Sequence, residues 1–260
     1  MKSLKLDNIN MIFFNKKSEN LVLKDINFQA KNEDFIAIVG PSGCGKSTIL
    51  NIIAGLITPT FGSANLDNEE IKDCNNKIAY MFQSDHLFPW LSVWNNVTLG
   101  LKIQKKYNKS NIEFIENLLK KYDLIDYKSY YPNEISGGMK QKVALIRTLA
   151  LNPELLLLDE PFSALDYQTR LKIGDEVYKI IKEEKKTAII VTHDIPEAIS
   201  LSNKVLILSK NPACIKAAID IEFPEEFQSP LQRRKSPMFG LYYEKIWEEL
   251  EDEKSTCKKS

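Results

Sequence analysis

The chain has 260 residues, with 35 Lys and Arg against 35 Asp and Glu, and 43% of it is hydrophobic. Zero formal charge gives no electrostatic reward for holding a polyanionic duplex, so nucleic acid is not expected as the main ligand. The length is large for one core and small for two full domains, which predicts a single main domain carrying an insertion.

Cys44, Cys74, Cys214 and Cys257 form no CxxC pair and no His/Cys ladder. They are expected to be reduced thiols, in neither a disulfide frame nor a zinc site. The opening MKSLKLDNIN lacks an apolar signal segment, and runs such as LLLL before Asp159 are too short to cross a bilayer, so the chain is not expected to span a membrane.

In chain order, two β-branched or aromatic runs, Leu4–Phe14 and Leu21–Ala30, predict an antiparallel layer. Phe35–Val39 is a short, wholly apolar strand, and Lys46–Leu56 reads as a helix ended at Gly55. Lys77–Phe82 reads as a further strand. Between Trp90 and Tyr131 the sequence turns polar and helical, with Ile112, Ile115, Leu118 and Leu119 at helical spacing, which predicts a helical subdomain inserted in the sheet. Buried parallel strands follow at Leu155–Leu158, Ala188–Thr192 and Val205–Leu208, separated by helices near Gln168–Lys182 and Ile195–Leu201. The closing EELEDEKSTCKKS is a charge run expected to be solvated.

Between the apolar strand and the helix lies GPSGCGKST, which fits G-x-x-x-x-G-K-[ST]. Gly40, Ser42, Gly43, Cys44, Gly45, Lys46, Ser47 and Thr48 make up this phosphate loop. Its glycines let backbone N–H groups turn toward a phosphate, Lys46 brings a positive charge between β- and γ-phosphates, and the Ser47 hydroxyl can ligate Mg²⁺. Cys44 reads as the occupant of a variable loop position. LLLLDEP delivers Asp159 to the same sheet edge, where it can hold Mg²⁺ through water. Side-chain alternation sends the neighbouring Glu160 elsewhere, free to polarise an attacking water. THD puts His193 at the end of another apolar strand, placed to hydrogen-bond a γ-phosphate.

A phosphate loop alone is shared by kinases, GTPases and transport motors. ISGGMKQ, together with Gln83, SALD at Ser163–Asp166 and His193, resembles the motif set of ABC-type ATPases in that family's order, over nearly the whole chain. Ile135 stands where leucine is usual, Lys142 where arginine is usual, and Asn32–Glu33 where a turn glycine is usual. The resemblance implies an α/β fold: a P-loop NTPase core with a mostly parallel sheet, an N-terminal antiparallel β layer and an inserted α-helical subdomain. The expected divisions are 1–90 and 152–225 for the RecA-like core, 91–151 for the helical subdomain, and 226–260 for a C-terminal helix and tail. It implies ATP and Mg²⁺ as cofactors, Glu160, His193 and Gln83 as catalytic groups, and Ser47, Gln83 and Asp159 around the metal. Phe13 falls where the family stacks adenine, with Phe14 as the second choice. Ser136, Gly137, Gly138 and Gln141 correspond to the signature, which in the family faces the γ-phosphate bound by a second copy, and Asp166 to the D-loop. A head-to-tail homodimer sharing two ATP molecules is the implied assembly.

A narrower resemblance lies in QSDHLFPWLSVWNNVTLGL, which is similar to the Q-loop region of nitrate/sulfonate/taurine importer ATPases. It implies that Leu87, Phe88, Trp90 and Leu91, with Trp94, receive a transmembrane permease. It also implies an extracytoplasmic solute-binding protein as an indirect partner and a peripheral place on the cytoplasmic face of the membrane. The competing reading of the patch is ordinary core, although an exposed apolar loop containing Pro suits an interaction site better. Two other function classes stay open at this stage: a non-transport ABC ATPase of repair or translation, and a metabolite kinase.

Overall fold

The computed structural model of the protein describes residues 3–15, 18–74, 76–83 and 85–252. Strands β1 (Ser3–Asn15) and β2 (Ser18–Lys31) pair antiparallel, as their β-branched runs predict. The apolar β3 (Phe35–Val39) follows, and then α1 (Lys46–Ile53). The helix stops before the expected end because the backbone turns left-handed at Gly55, φ 70°. Two strands that the sequence reading did not foresee, β4 (Phe61–Leu66) and β5 (Glu69–Glu70), complete a four-stranded antiparallel sheet in the order β2-β1-β4-β5. FGSANL carries no β-branched residue, so only its pairing with β1 makes it a strand.

After β6 (Ile78–Met81) come the inserted helices α2 (Val93–Ile103), α3 (Lys109–Lys121) and α4 (Gly137–Leu149). Each begins at a polar side chain that accepts a first-turn N–H: Ser92, Asn108 and Ser136 respectively. Then follow β7 (Leu155–Asp159), α5 (Tyr167–Glu183), β8 (Thr187–Val191), α6 (Ile195–Leu201), β9 (Lys204–Leu208) and β10 (Ile215–Asp220). Two C-terminal helices, α7 (Pro230–Arg233) and α8 (Pro237–Glu251), stand where one was expected.

The second sheet runs β10-β9-β3-β8-β7-β6 and is parallel except for the edge strand β10. Strand β3 is apolar throughout, and the runs 155–158, 188–191 and 205–208 are too, because both faces of the central sheet are covered. Ile36, Ile38, Leu155, Leu157, Ile189 and Val191 face the antiparallel layer and α1. The alternate residues face the remaining helices. Ile115, Leu118 and Leu119 of α3 belong to this second core, so the inserted helices pack as part of the sheet's own core. Ile112 is half-buried beside them.

Cys44 and Cys74 are free and buried, as expected for reduced thiols, but Cys214 is disulfide-bonded, which corrects that expectation. Sequence spacing carries no information about which Cα atoms the fold brings together. Cys257 lies outside the described residues, as does most of the charged tail.

Candidate active site

Strand β3 ends in a loop that feeds α1, so the unpaired N–H groups of the first helical turn face the loop's concavity. Gly45 precedes the helix at φ 114°, and a Cβ there would stand 2.8 Å from Leu23 Cδ2 and 3.0 Å from Val22 Cγ1. Only glycine fits this turn. The Lys46 ammonium, on a residue only 7% exposed, donates to Gly40 O at 2.8 Å and Pro41 O at 3.0 Å, folding the loop around its own cation. Ser42, Gly43 and Ser47 are exposed and Thr48 is half-buried. Cys44 lies in the core beneath the loop, and burial pushes its thiol pKa up, so it is an inert packing residue.

The neighbouring strands bring the other groups to the same edge. Asp159, at the end of β7, reaches Ser47 Oγ at 3.3 Å through one carboxylate oxygen. Its other oxygen accepts the Tyr80 hydroxyl from β6 at 3.0 Å. Burial first, and the Asp159 charge second, raise the Tyr80 pKa, so the phenol remains a donor. A hydroxyl and a carboxylate are the sparse protein share of a Mg²⁺ site, whose remaining ligands are phosphate and water. Among the described residues no group of three or more His, Cys, Asp or Glu is arranged so that it could hold a metal ion by itself.

Glu160 leaves the β7 line for a different reason from the alternation first invoked. The strand ends at Asp159, and Glu160 has φ 44°, a left-handed conformation costing of order 1–3 kcal/mol in a non-glycine residue. That turn aims its carboxylate at two partners. Glu160 Oε2 is 3.1 Å from His193 Nδ1 and accepts from Gln83 Nε2 at 3.3 Å. The three residues expected to be catalytic therefore form one cluster, at the ends of β6, β7 and β8. In it His193, expected to reach toward phosphate, contacts Glu160.

Phe13 is 40% exposed and Phe14 66%. Register places Phe13 opposite Asn20, two residues before Val22, whose side chain lies against the Gly45 turn. Ser136 and Gly137 are exposed at the start of α4, and Ser136 Oγ caps the helix by accepting Met139 N–H at 3.3 Å. Gly138 is buried, and a Cβ on it would stand 3.0 Å from Ile173 Cδ1, so glycine sets the approach of α4 to α5. Gln141 is 3% exposed: it follows the buried Gly138 by three positions and shares its inward face of α4, so its side chain is not on the open face expected of a signature residue. Asp166 caps α5 by accepting Thr169 N–H at 3.1 Å, and this bond lowers its pKa.

The expected docking patch is divided. Leu87 is 7% exposed and belongs to the core, which corrects its assignment to a surface. Trp90 is 70% exposed, Phe88 37%, and their rings lie 5.3 Å apart. Leu91 and Trp94 are half-buried. The loop is pinned from within by Asn96, which accepts Phe88 N–H at 2.8 Å and donates to Phe88 O, Leu91 O and Ser92 O. Beside it runs an apolar groove of about 750 Å³ lined by Phe82, Phe88, Leu99, Ile103, Arg147 and Leu151. Arg147 donates to Asp85 O and His86 O, both at 2.7 Å, and ties the loop after Gln83 to the signature helix. Tyr80 and Arg147 lie outside every motif, and Asn96 lies within QSDHLFPWLSVWNNVTLGL without being singled out there, so the sequence reading did not find them.

A glycine-cradled helix start facing a carboxylate pair across a parallel sheet defines a phosphate-loop nucleoside triphosphatase. The family model described as "ABC transporter" matches residues 23–163. The chain is 44% identical over 252 residues, 96% of each chain, to the uncharacterized ABC transporter ATP-binding protein YtlC of Bacillus subtilis. It is 37% identical to the nitrate import ATP-binding protein NrtD of Synechocystis, over 94% of this chain and 93% of that one. It is 43% identical to an aliphatic sulfonates import ATP-binding protein, SsuB of Bacillus cereus, over 82% of this chain and 84% of that one. Among solved structures, a dimeric cassette, MJ0796 in a post-hydrolysis state with ADP and Pi, superposes with TM-score 0.72 at 32% identity, over 85% of this chain and all of that one. The protein belongs to the ABC transporter ATP-binding family: it is an ATP-binding, ATP-hydrolysing subunit of a transporter.

Proposed function

We propose that the chain is the motor subunit of an importer for a small anion of the nitrate or sulfonate kind. It works as a homodimer on the cytoplasmic face of the membrane, beneath two permease subunits fed by an external solute-binding protein. The import names of its relatives support the direction of transport and the solute class. No helix among the described residues is long and apolar enough to cross a membrane. The observation that carries the motor reading is the gathering of Gln83 and His193 on Glu160, next to Ser47 and Asp159.

In this reading Lys46 and the loop N–H groups bind the β- and γ-phosphates, and Phe13 lies against adenine. Ser47 and Asp159 would hold Mg²⁺, which when bound neutralises charge on the phosphate oxygens. Tyr80 keeps Asp159 oriented. His193 and Gln83 hold the Glu160 carboxylate toward a water, from which it draws a proton as the water oxygen bonds the γ-phosphorus and the bond to ADP breaks. Ser136 and the N-terminus of α4 offer their donors to the γ-phosphate bound by a second copy. Asp166, exposed at the start of α5, lies where that copy would meet it. Nucleotide then joins the subunits, and its hydrolysis releases them. Phe88, Trp90 and the adjoining groove receive a permease helix, whose movement reaches the site through Gln83.

Glu160→Gln tests this directly. The variant should bind ATP, form a dimer that persists on a sizing column, and lose about 10²–10³ in hydrolysis rate. Normal hydrolysis would remove Glu160 as the base. Mixing Ser136→Arg chains with Lys46→Ala chains gathers both lesions into one of two shared sites, so some activity should return. Mixed dimers that form without recovery would refute the shared site.

A further inference from the structure

Outside the recognised motifs, one side chain bridges two of the loops that surround Glu160. Arg170, in the first turn of α5, donates through Nη1 to Asp194 Oδ2 at 3.2 Å and through Nη2 to Leu165 O at 3.1 Å. Leu165 lies in the D-loop, one residue before Asp166, and Asp194 follows His193. The remaining contacts close a circuit. Ser163 donates to Glu160 O through both its hydroxyl, at 3.0 Å, and its N–H, at 3.2 Å, and Glu160 Oε2 meets His193 at 3.1 Å. Glu160, Ser163, Arg170, His193 and Asp194 thus surround one small cavity, with Glu197 and Thr192 on its inner wall.

That inner wall is closed by hydrogen bonds. Glu197 is 6% exposed and accepts the Thr192 hydroxyl, while Thr192 Oγ1 accepts Asp194 N–H at 3.1 Å and Asp194 Oδ1 accepts Glu197 N–H at 2.8 Å. The turn bearing His193 is therefore fixed behind to α6; across to the D-loop it is linked indirectly through Glu160 and Ser163, and directly through Arg170. A planar guanidinium suits this task because its two Nη groups reach two acceptors at once, which a lysine ammonium on a flexible stem does less well.

We propose that Arg170 is a positioning residue: it couples the D-loop to the His193 turn, so that seating of the D-loop against a second copy sets the orientation of His193 on Glu160. The proposal rests on the motor reading above. It gives each site a physical route by which the arrival of the neighbouring subunit is registered at the catalytic carboxylate. Arg170 itself need touch neither ATP nor water.

The test is Arg170→Met, which keeps the length of the stem and removes both donors. With Arg170 acting through His193, kcat should fall about 10²-fold, the scale of a small misplacement, while KM for ATP stays within about twofold. Arg170→Lys should restore part of the rate by keeping one of the two bonds. The chain has two histidines, so the imidazole NMR signals of His86 and His193 can be assigned with a single His86→Gln variant. Arg170→Met should shift or broaden the His193 signal in the ATP-bound dimer and leave that of His86 in place. An unchanged kcat, or a lower kcat with an unmoved His193 signal, overturns the proposal. If Arg170→Met does not fold, Arg170→Lys and Asp194→Asn carry the same two measurements, and a normal rate and signal in both overturns it. The motor reading fails separately: if Glu160→Gln does not trap an ATP-bound dimer, that reading is lost whatever Arg170 does.

Discussion

Two residues three positions apart, Leu87 and Trp90, separate core from docking surface. Leu87 is 7% exposed and Trp90 70%. Leu87→Ala leaves a cavity in the core shared with Val93 and Val97, a change that costs about 2–5 kcal/mol. At roughly 2–4 °C per kcal/mol for a chain of this size, a cost of about 3 kcal/mol lowers the melting temperature by roughly 6–12 °C. Trp90→Ala removes an exposed ring, so its effect on stability should stay within about 0.5 kcal/mol. The lost docking area is another matter. Burying such a ring against a permease is worth roughly 1.5–3 kcal/mol, or about tenfold to a hundredfold in association. Calorimetry of the isolated subunit, paired with co-purification of the permease, reads both quantities. Leu87→Ala should melt early, and Trp90→Ala should melt normally yet lose the permease. If Trp90→Ala melts as early as Leu87→Ala, the whole loop is core and the docking assignment is wrong.

Gly45→Ala should weaken ATP binding at least tenfold by titration, because the 114° φ and the 2.8 Å approach to Leu23 leave no room for a methyl group; normal affinity would refute the cradle. Tyr80→Phe removes the donor to Asp159, so the Mg²⁺ concentration for half-maximal hydrolysis should rise about tenfold with folding unchanged, and an unchanged requirement would free Asp159 of that support. Burial pushes the Glu197 carboxyl from an ordinary 4.5 up to about 7, with Asp194 adding to the rise and Thr192, Arg170 and Arg234 opposing it. The fold thus favours the protonated acid, a stabilisation complete below about pH 4.5 and lost as pH rises through about 7, so the melting temperature of Glu197→Gln should fall less across that window than that of the wild type.

Much of the sheet was legible because burial on both faces leaves an unbroken apolar run, and for Phe35–Val39 the expected and observed limits coincide. Helix α6 was legible in the same way, with Asp194 before it as a cap and Pro196 in its first turn. Strand β4 was not, since FGSANL owes its conformation to a partner more than fifty residues away. The cluster of Gln83, Glu160 and His193 was foreseen through the family's motif order, yet the reason offered for the aim of Glu160 was local alternation. The structure replaces it with a left-handed turn, which no periodicity in the sequence announces.

Motif residues and the residues that join motifs differ in how visible sequence makes them. A phosphate cradle needs several residue types in a fixed order, because backbone N–H groups, a cation and a hydroxyl must converge on one anion. A tether needs only one donor within reach of a carbonyl, and helices offer many such positions. Arg147 and Arg170 are tethers of this kind: each sends both Nη groups from a helix to a loop beside the catalytic edge. Arg147 joins the loop after Gln83 to α4, and Arg170 joins the D-loop to the turn of His193. Replacing either leaves every motif intact, so a sequence scan would still report a complete ATPase. The physical expectation is different: the isolated chemical groups would remain while their mutual placement loosened, and rate would be lost before nucleotide affinity.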